Sequence, residues 1–198
     1  MNEASPRIYL ARHGETAWSV SGQHTGLTDL PLTPRGEENA RRLGERLRGQ
    51  VFSRVFTSPL QRARRTCELA GIAARAEVDA DLVEWDYGAY EGKKTSEIRQ
   101  QQPGWQLFRD GCPGGESLAT IAARADRVVA RLRAVGGDVL VFSSGHFLRV
   151  LSARWCGLDA SSGRCLYLGT AALCVLGYEH GTDDPVLRLW NDDRHVAS

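Results

Sequence analysis

The chain has 198 residues, 42% of them hydrophobic and 25% charged, and a formal net charge of +1, as is typical of a water-soluble globular protein. This nearly balanced charge gives no electrostatic support for binding nucleic acid, so we expect no nucleic-acid partner. No stretch approaches the roughly 20 apolar residues of a transmembrane helix, so we expect no membrane association.

Strands are predicted to alternate with helices along the chain. The first half is predicted to contain a strand at 7–11, a helix beginning at Pro34, a strand at 53–58, a helix from Pro59 to about Leu69, and a short strand with an irregular aromatic loop within 76–92. One or two short helices within 95–110 and a long helix after 117 are predicted next. A strand at 138–144, a helix from Gly145 and two strands at 171–179 and 186–190 are predicted to complete the chain. Thr33-Pro34 and Ser58-Pro59 indicate helix starts, because a hydroxyl caps the first turn and proline suits its first position.

This alternation predicts an α/β fold. Continuous apolar strands such as 138–144 indicate a sheet that is buried on both faces, and the helices between strands favour a parallel arrangement. We therefore predict a three-layer sandwich with a mostly parallel central sheet, in which the two late strands form a hairpin at the edge. Because we find no linker and no internal repeat, residues 1–198 are predicted to form a single domain.

The cysteines and the N-terminus bear on the cellular compartment. The chain has five cysteines, no Cys-x-x-Cys pair, and no signal-peptide pattern at its N-terminus. We therefore expect free thiols and a cytoplasmic location. A homodimer through an edge strand is compatible with the sequence but is not required by it.

Cationic and nucleophilic side chains follow three of the predicted strands. Arg12 and His13 come directly after the first strand. Arg62 lies in the first turn of the helix after the second strand, and His146 follows the strand at 138–144. The carboxyl ends of parallel strands meet at one edge of a sheet, where α/β proteins bind ligands. Guanidinium groups suit a phosphate dianion and a neutral imidazole is a nucleophile, so the sequence predicts a phosphate site.

A metal site is the alternative interpretation of two histidines at one sheet edge. It would need carboxylates or a third histidine at ligand spacing, and arginine is an unfavourable neighbour for a metal cation. We therefore expect neither a metal nor another cofactor.

Transfer of a phosphoryl group also requires a proton donor for the leaving alkoxide. Glu84 is the candidate, because its apolar neighbours Val83 and Trp85 would favour the protonated form of its carboxyl group. Asp86 and Glu91 are competing candidates on the same loop. Each of these carboxylates could instead serve in a salt bridge or a turn.

Five ordered segments of the sequence resemble the histidine phosphatase superfamily, the phosphoglycerate mutase-like proteins. The segments are LARHGETAWS, HTGLTDLPLTPRG, SPLQRARRT, EWDYGAYEG and SSGHFLRVL, and the resemblance covers residues 7–179. It implies a phosphoglycerate mutase-like fold and a phosphohistidine intermediate on His13. It also implies that Glu84 is the general acid and that the phosphate pocket is formed by Arg12, Arg62 and His146.

The resemblance further implies substrate contacts, some of which are altered here. Ser19, Thr25 and Gly26 match positions that touch the substrate. Mutases usually carry asparagine in place of Ser19, and the shorter serine reduces the reach of this contact. Phe147-Leu148 replaces a common glycine-asparagine pair, so Phe147 is expected to contact the substrate through its backbone alone.

Aromatic and basic residues near Glu84 have two interpretations. The aromatic residues could wall a sugar pocket, with Tyr87 contacting the substrate, or they could belong to the core. They are Trp85, Tyr87, Tyr90 and Trp105. Three basic residues could bind a second phosphate or a carboxylate, or they could be solvated: Lys93, Lys94 and Arg109. His24 could border the mouth of the site.

The length of one segment favours a phosphatase over a mutase. Mutases of this type carry an insertion after the acid that keeps water from the phosphohistidine, whereas only GKKTSEIRQQQPGWQLFRDGCPGGES precedes the long helix here. A more open site lets water accept the phosphoryl group. We predict a phosphatase acting on small phosphorylated metabolites such as sugar phosphates. A phosphoglycerate mutase dependent on 2,3-bisphosphoglycerate and a catalytically silent phosphate-binding regulatory module are the alternatives.

Overall fold

A six-stranded sheet lies at the centre of the computed structural model, which describes residues 5–196. Its strands are β1 (Ile8–Arg12), β2 (Arg54–Thr57), β3 (Ala76–Val78), β4 (Val139–Ser143), β5 (Leu173–Tyr178) and β6 (Pro185–Asp192). The strand order is β3-β2-β4-β1-β5-β6. The first four strands of this order are parallel, and β5 and β6 pair antiparallel. The prediction of a mostly parallel sheet with a late hairpin at its edge is confirmed.

The described residues contain seven α-helices. They are α1 (Ala17–Ser21), α2 (Pro34–Arg46), α3 (Gln61–Leu69), α4 (Thr95–Gln101), α5 (Leu107–Asp110), α6 (Leu118–Arg133) and α7 (Gly145–Trp155). None of them, over residues 5–196, combines the length and the apolar character that a membrane crossing demands.

The two predicted helix starts have different outcomes. Thr33 caps α2 as expected, because its hydroxyl accepts a hydrogen bond from the N–H of Gly36 at 3.0 Å. The predicted start at Pro59 is wrong, because α3 begins at Gln61. The hydroxyl of Ser58 accepts a hydrogen bond from Leu60 instead, at 3.3 Å, and so shapes the turn before the helix rather than its first turn.

The hydrophobic core lies on both faces of the sheet. Side chains alternate along β1, so that Ile8 and Leu10 pack with α6 and α7 while Tyr9 and Ala11 pack with α2 and α3. The three-layer arrangement is therefore confirmed. The aromatic residues around Glu84 belong to the first of these two core clusters, and they are Trp85, Tyr87, Tyr90 and Trp105.

The register of the sheet brings the ends of three strands together. Arg12, the last residue of β1, pairs with Ser143, the last residue of β4. Thr57 at the end of β2 pairs with Phe142 one position earlier. The turns that follow β1, β2 and β4 therefore leave the sheet at the same edge, which is where the predicted site residues lie.

Candidate active site

His13 is fixed at the end of β1 by backbone contacts. Its N–H donates to the carbonyl of Ser143 at 3.0 Å, and the next residue, Gly14, packs against the backbone of Gly36 in α2. A Cβ on Gly14 would lie 2.5 Å from the carbonyl oxygen of Gly36, so only glycine permits this close approach. The Nδ1 atom of His13 lies 2.8 Å from the carbonyl oxygen of Gly14. A carbonyl only accepts hydrogen bonds, so Nδ1 carries the proton and Nε2 keeps a free electron pair.

The surroundings of His13 keep its ring neutral. The residue is only 4% exposed, and burial lowers the pKa of its imidazole well below the usual range. The positive charges of Arg62 and Arg12 lower this pKa further. A neutral imidazole with an unprotonated Nε2 is the form in which histidine acts as a nucleophile.

Two guanidinium groups lie beside His13 and are held by backbone carbonyls. The fully buried Arg62 donates from Nη1 to Thr28 at 2.9 Å and from Nη2 to Gly26 at 2.8 Å. Arg12 donates from Nη1 to the carbonyl of Leu168 at 2.6 Å. The buried Nε atoms of both arginines have no hydrogen-bond partner within residues 5–196. Unpaired buried donors are costly, so this arrangement suits an anion that would accept from them.

Glu84 joins the aromatic loop to the start of α7. Its Oε1 accepts from the N–H of Phe147 at 2.7 Å and from that of Trp85 at 2.9 Å, and its Oε2 accepts from the N–H of His146 at 2.9 Å. The hydroxyl of Ser144, the N-cap residue, has no partner in the described part of the chain. The carboxylate of Glu84 therefore caps the helix that carries His146.

The expected contact between Phe147 and a substrate is not supported by its position. The N–H of Phe147 is occupied by Glu84. Its side chain is fully buried beneath the guanidinium of Arg124, which lies 4.4 Å from the ring centroid. Phe147 therefore holds Glu84 in place, and it presents neither group to a ligand.

Tyr87 sets the protonation of the His146 ring. Its hydroxyl lies 2.6 Å from Nδ1 of His146, and burial raises the pKa of this phenol well above its usual range. Burial also lowers the pKa of His146 well below the usual range, and Arg149, His24 and Arg12 act in the same direction. The phenol O–H thus donates to Nδ1 of a neutral ring, so that Nε2 carries the ring proton and serves as a donor.

Three predicted substrate contacts are engaged elsewhere in the structure. The hydroxyl of Ser19 donates to the carbonyl of Thr16 at 2.9 Å and forms a capping box at the start of α1. The carbonyls of Thr25 and Gly26 accept from Arg62 at 3.3 and 2.8 Å. This loop positions an arginine of the pocket, a function that the sequence motif does not reveal.

The competing carboxylates stabilise loops. Asp86 accepts from the N–H of Gly88 at 2.9 Å. Glu91 accepts from the N–H groups of Gly26 at 2.9 Å and of Thr28 at 3.0 Å. Both side chains therefore have structural partners, whereas Glu84 alone of the three carboxylates contacts the helix that carries His146 within the described residues.

Two of the basic residues near the aromatic loop have partners outside the catalytic set. The ammonium group of Lys93 lies over the ring of Tyr90, and Arg109 is exposed and paired with Asp110 at 2.8 Å. Sequence reasoning missed Arg149, which contributes to the electrostatics of His146. Its spacing of three residues after His146 on one helix is the signal that could have identified it.

His24 lies beside the pocket among aromatic rings. Its ring centroid is 4.8 Å from that of Tyr87 and 6.1 Å from that of His146. Burial lowers the pKa of His24 to about 4, so this ring is neutral at neutral pH. Over residues 5–196, no group of three or more His, Cys, Asp or Glu side chains is placed to hold a metal ion.

Replacing Tyr87 with phenylalanine is expected to lower kcat for p-nitrophenyl phosphate by about 2- to 10-fold, the worth of one hydrogen bond. The variant removes the O–H that fixes the tautomer and orientation of His146. Steady-state kinetics measure the effect, and NMR of the imidazole nitrogens reports the tautomer. Tyr90→Phe is the matched control, because its hydroxyl bonds Gln102 at 3.0 Å instead. Equal losses in both variants would contradict the role given to Tyr87.

The fold and the site together define a class of protein. Arg12, His13, Arg62 and His146 lie at or after the carboxyl ends of parallel strands, with Arg12 acting on both imidazole rings, and such a set of cationic and neutral imidazole groups suits a phosphate ester. The family model described as the histidine phosphatase superfamily (branch 1) matches residues 8–193. The chain belongs to this family.

Individual relatives agree with this assignment. The chain is 41% identical to an acid phosphatase of Mycobacterium tuberculosis over 203 residues, which cover all of both chains. It is 40% identical over 190 residues to a sedoheptulose 1,7-bisphosphatase of Saccharomyces cerevisiae, covering 80% of this chain and 70% of that protein. A solved structure of a Mycobacterium tuberculosis open reading frame product matches with a TM-score of 0.89 at 40% identity, covering 94% of this chain and 97% of that one. The predicted family, the phosphoglycerate mutase-like fold and the phosphatase class are confirmed.

Proposed function

We propose that the chain hydrolyses phosphate monoesters of small metabolites through a phosphohistidine on His13, without a metal ion. The observation that carries this proposal is the environment of His13. A neutral ring with a free Nε2 lies beside two arginines whose buried Nε donors have no partner in the described chain. The catalytic set is His13, Glu84, Arg12, Arg62 and His146.

The first half of the reaction transfers the phosphoryl group to the enzyme. Phosphoryl oxygens bind the guanidinium groups of Arg12 and Arg62 and the Nε2–H of His146. The Nε2 atom of His13 attacks phosphorus in line, the bond to the ester oxygen breaks, and Glu84 gives its proton to the departing alkoxide. The guanidinium groups stabilise charge on the equatorial oxygens, a task that Mg²⁺ performs in other phosphoryl-transfer enzymes.

The second half releases the phosphate. Water attacks the phosphorus of the phosphohistidine, and the carboxylate of Glu84 accepts one of its protons. The N–P bond breaks, and its electron pair returns to Nε2 of His13. Inorganic phosphate then leaves, and Glu84 is again protonated for the next cycle.

Water is the proposed acceptor because the segment between the aromatic loop and α6 is part of the core. Within residues 93–117, the side chains of Ile98, Trp105 and Phe108 are buried. A segment anchored by its own side chains does not act as a free lid over the phosphohistidine. Two curated relatives at 40% identity or more are named an acid phosphatase and a sugar bisphosphatase, whereas a probable phosphoglycerate mutase of Salmonella choleraesuis is 32% identical, so the names of the more similar relatives support hydrolysis.

A catalytically silent binding module would not need the nucleophile, the acid and the donor histidine together, so their joint presence supports turnover.

We also propose that the enzyme is located in the cytoplasm, because its five cysteines, which all lie in the described part of the chain, carry free thiols.

Hydrolysis of p-nitrophenyl phosphate in the presence of EDTA tests the proposal directly. We expect EDTA to leave the rate unchanged, because the cationic groups of the site are side chains. Inactivation by EDTA with recovery on adding a divalent metal would contradict the metal-independent mechanism. A second assay follows conversion of 3-phosphoglycerate to 2-phosphoglycerate with 2,3-bisphosphoglycerate as primer. Conversion that outpaces hydrolysis would favour the mutase.

A further inference from the structure

Arg149 is a third guanidinium beside the pocket, and the proposed reaction steps do not use it. It lies on α7, three residues after His146, so both side chains project from one face of the helix. Its charge lowers the pKa of His146, and the charges of Glu84 and Arg12 act in turn on Arg149. Arg149 therefore belongs to the electrostatic surroundings of the site.

The side chain of Arg149 is held in one orientation. Its Nε donates to the carbonyl of Gly163 at 2.9 Å and its Nη2 to that of Arg164 at 3.1 Å. The guanidinium lies 4.7 Å from the ring centroid of Phe108, and this ring is 5.6 Å from the ring of His146. Neither hydrogen bond uses Nη1. The group is thus positioned in advance, with donors remaining for a ligand.

Among residues 5–196, the guanidinium of Arg149 forms no direct salt bridge, and the carboxylate that acts on its charge is that of Glu84. The hydrogen-bond partners of Arg149 within this range are backbone carbonyls, and burial lowers its pKa. Other arginines nearby have carboxylate partners: Arg124 pairs with Glu116 at 2.6 Å, and Arg154 on the same helix pairs with Asp126 at 2.7 Å. A half-buried guanidinium without a carboxylate in direct contact is costly, and a ligand that brings negative charge would offset this cost.

We propose that Arg149 binds a second anionic group of the substrate, a phosphate or a carboxylate, while Arg12 and Arg62 hold the phosphoryl group that is transferred. This inference rests on the proposed function and specifies the substrate class as small metabolites with two anionic groups. It assigns to Arg149 the role for which the sequence offered Lys93, Lys94 and Arg109. Arginine suits this role because its planar fork pairs with both phosphate and carboxylate.

The test compares kcat/KM for substrates that differ by one anionic group. Glycerol 3-phosphate and 3-phosphoglycerate form the carboxylate pair, and fructose 1,6-bisphosphate is compared with fructose 1-phosphate and fructose 6-phosphate for the phosphate pair. We expect the wild-type enzyme to prefer the two-anion member of at least one pair. Arg149→Met should lower that preference by about 10- to 100-fold, the worth of a charge-assisted hydrogen bond. The pair that responds identifies the second anion.

Arg154→Met is the matched control, because it removes the same charge from the same helix at a position where Asp126 already pairs with the arginine. The preference of this variant for two-anion substrates should equal that of the wild type. Arg149→Lys retains the charge and should give an intermediate preference, which provides a second variant if the methionine variant does not fold. Equal losses for one-anion and two-anion substrates, or no wild-type preference in either pair, would overturn the inference alone. A wild-type enzyme inactive even on p-nitrophenyl phosphate would overturn the proposed function and this inference with it.

Discussion

Replacing His13 with alanine is expected to lower kcat for p-nitrophenyl phosphate by about 10⁴-fold or more, as for removal of other enzymatic nucleophiles. The ring supplies the only proposed attacking atom, Nε2. A rapid-quench experiment with a ³²P-labelled ester should yield an acid-labile, base-stable phosphoprotein from the wild type and none from the variant. Arg12 and Arg62 remain, so the variant should still bind inorganic phosphate.

The control for this substitution is His180→Ala, which removes an exposed imidazole between β5 and β6 and should leave kcat unchanged. The His13 ring donates one hydrogen bond, to Gly14, so we expect the variant to fold. Thermal unfolding verifies this. Wild-type turnover by a purified, folded His13→Ala enzyme would show that another residue attacks the phosphorus.

Replacing Glu84 with glutamine is expected to slow hydrolysis most for esters whose leaving groups are poor. For an alkyl ester such as glycerol 3-phosphate, loss of the general acid should lower kcat by about 10²- to 10⁴-fold. The p-nitrophenolate ion is a stable leaving group that needs little protonation. The value of kcat for p-nitrophenyl phosphate should therefore fall much less. The ratio of the two rates, measured by phosphate release, isolates proton donation from general damage to the site.

Asp86→Asn and Glu91→Gln are the matched controls, because these carboxylates are the competing candidates and contact loop N–H groups instead. Neither variant should change the ratio between alkyl and p-nitrophenyl esters. If one of them did so while Glu84→Gln did not, the acid would have to be reassigned to that residue.

The sequence predicts those features that depend on neighbouring residues. The apolar run at 8–11 and the capping hydroxyl of Thr33 are local signals, and the structure contains both the strand, Ile8–Arg12, and the cap. The arrival of Arg12, His13 and His146 at one sheet edge follows from the parallel order of β1 and β4. Strand ends are therefore the part of the site that a sequence specifies most directly.

Features that depend on distant contacts could not be predicted in this way. Glu84 caps a helix 62 residues further along the chain, and this contact leaves no local pattern. Arg62 is held by the carbonyls of Gly26 and Thr28, groups that every residue carries and that no motif distinguishes. The start of α3 was misplaced because Ser58 bonds the turn before the helix, a choice that local capping rules do not decide.

The cap that Glu84 places on α7 links helix integrity to turnover. In the proposed cycle this carboxyl group gains and loses a proton, and an ionised cap accepts from the N–H groups of His146 and Phe147 more strongly than a neutral one. In the proposed cycle the first turn of α7 would therefore be held most tightly just after the alcohol departs, when Glu84 is ionised, and less tightly once the proton returns. In that cycle the backbone that carries His146 would be held most firmly at the phosphoenzyme stage, because the two N–H groups that Glu84 accepts belong to the first turn of this helix.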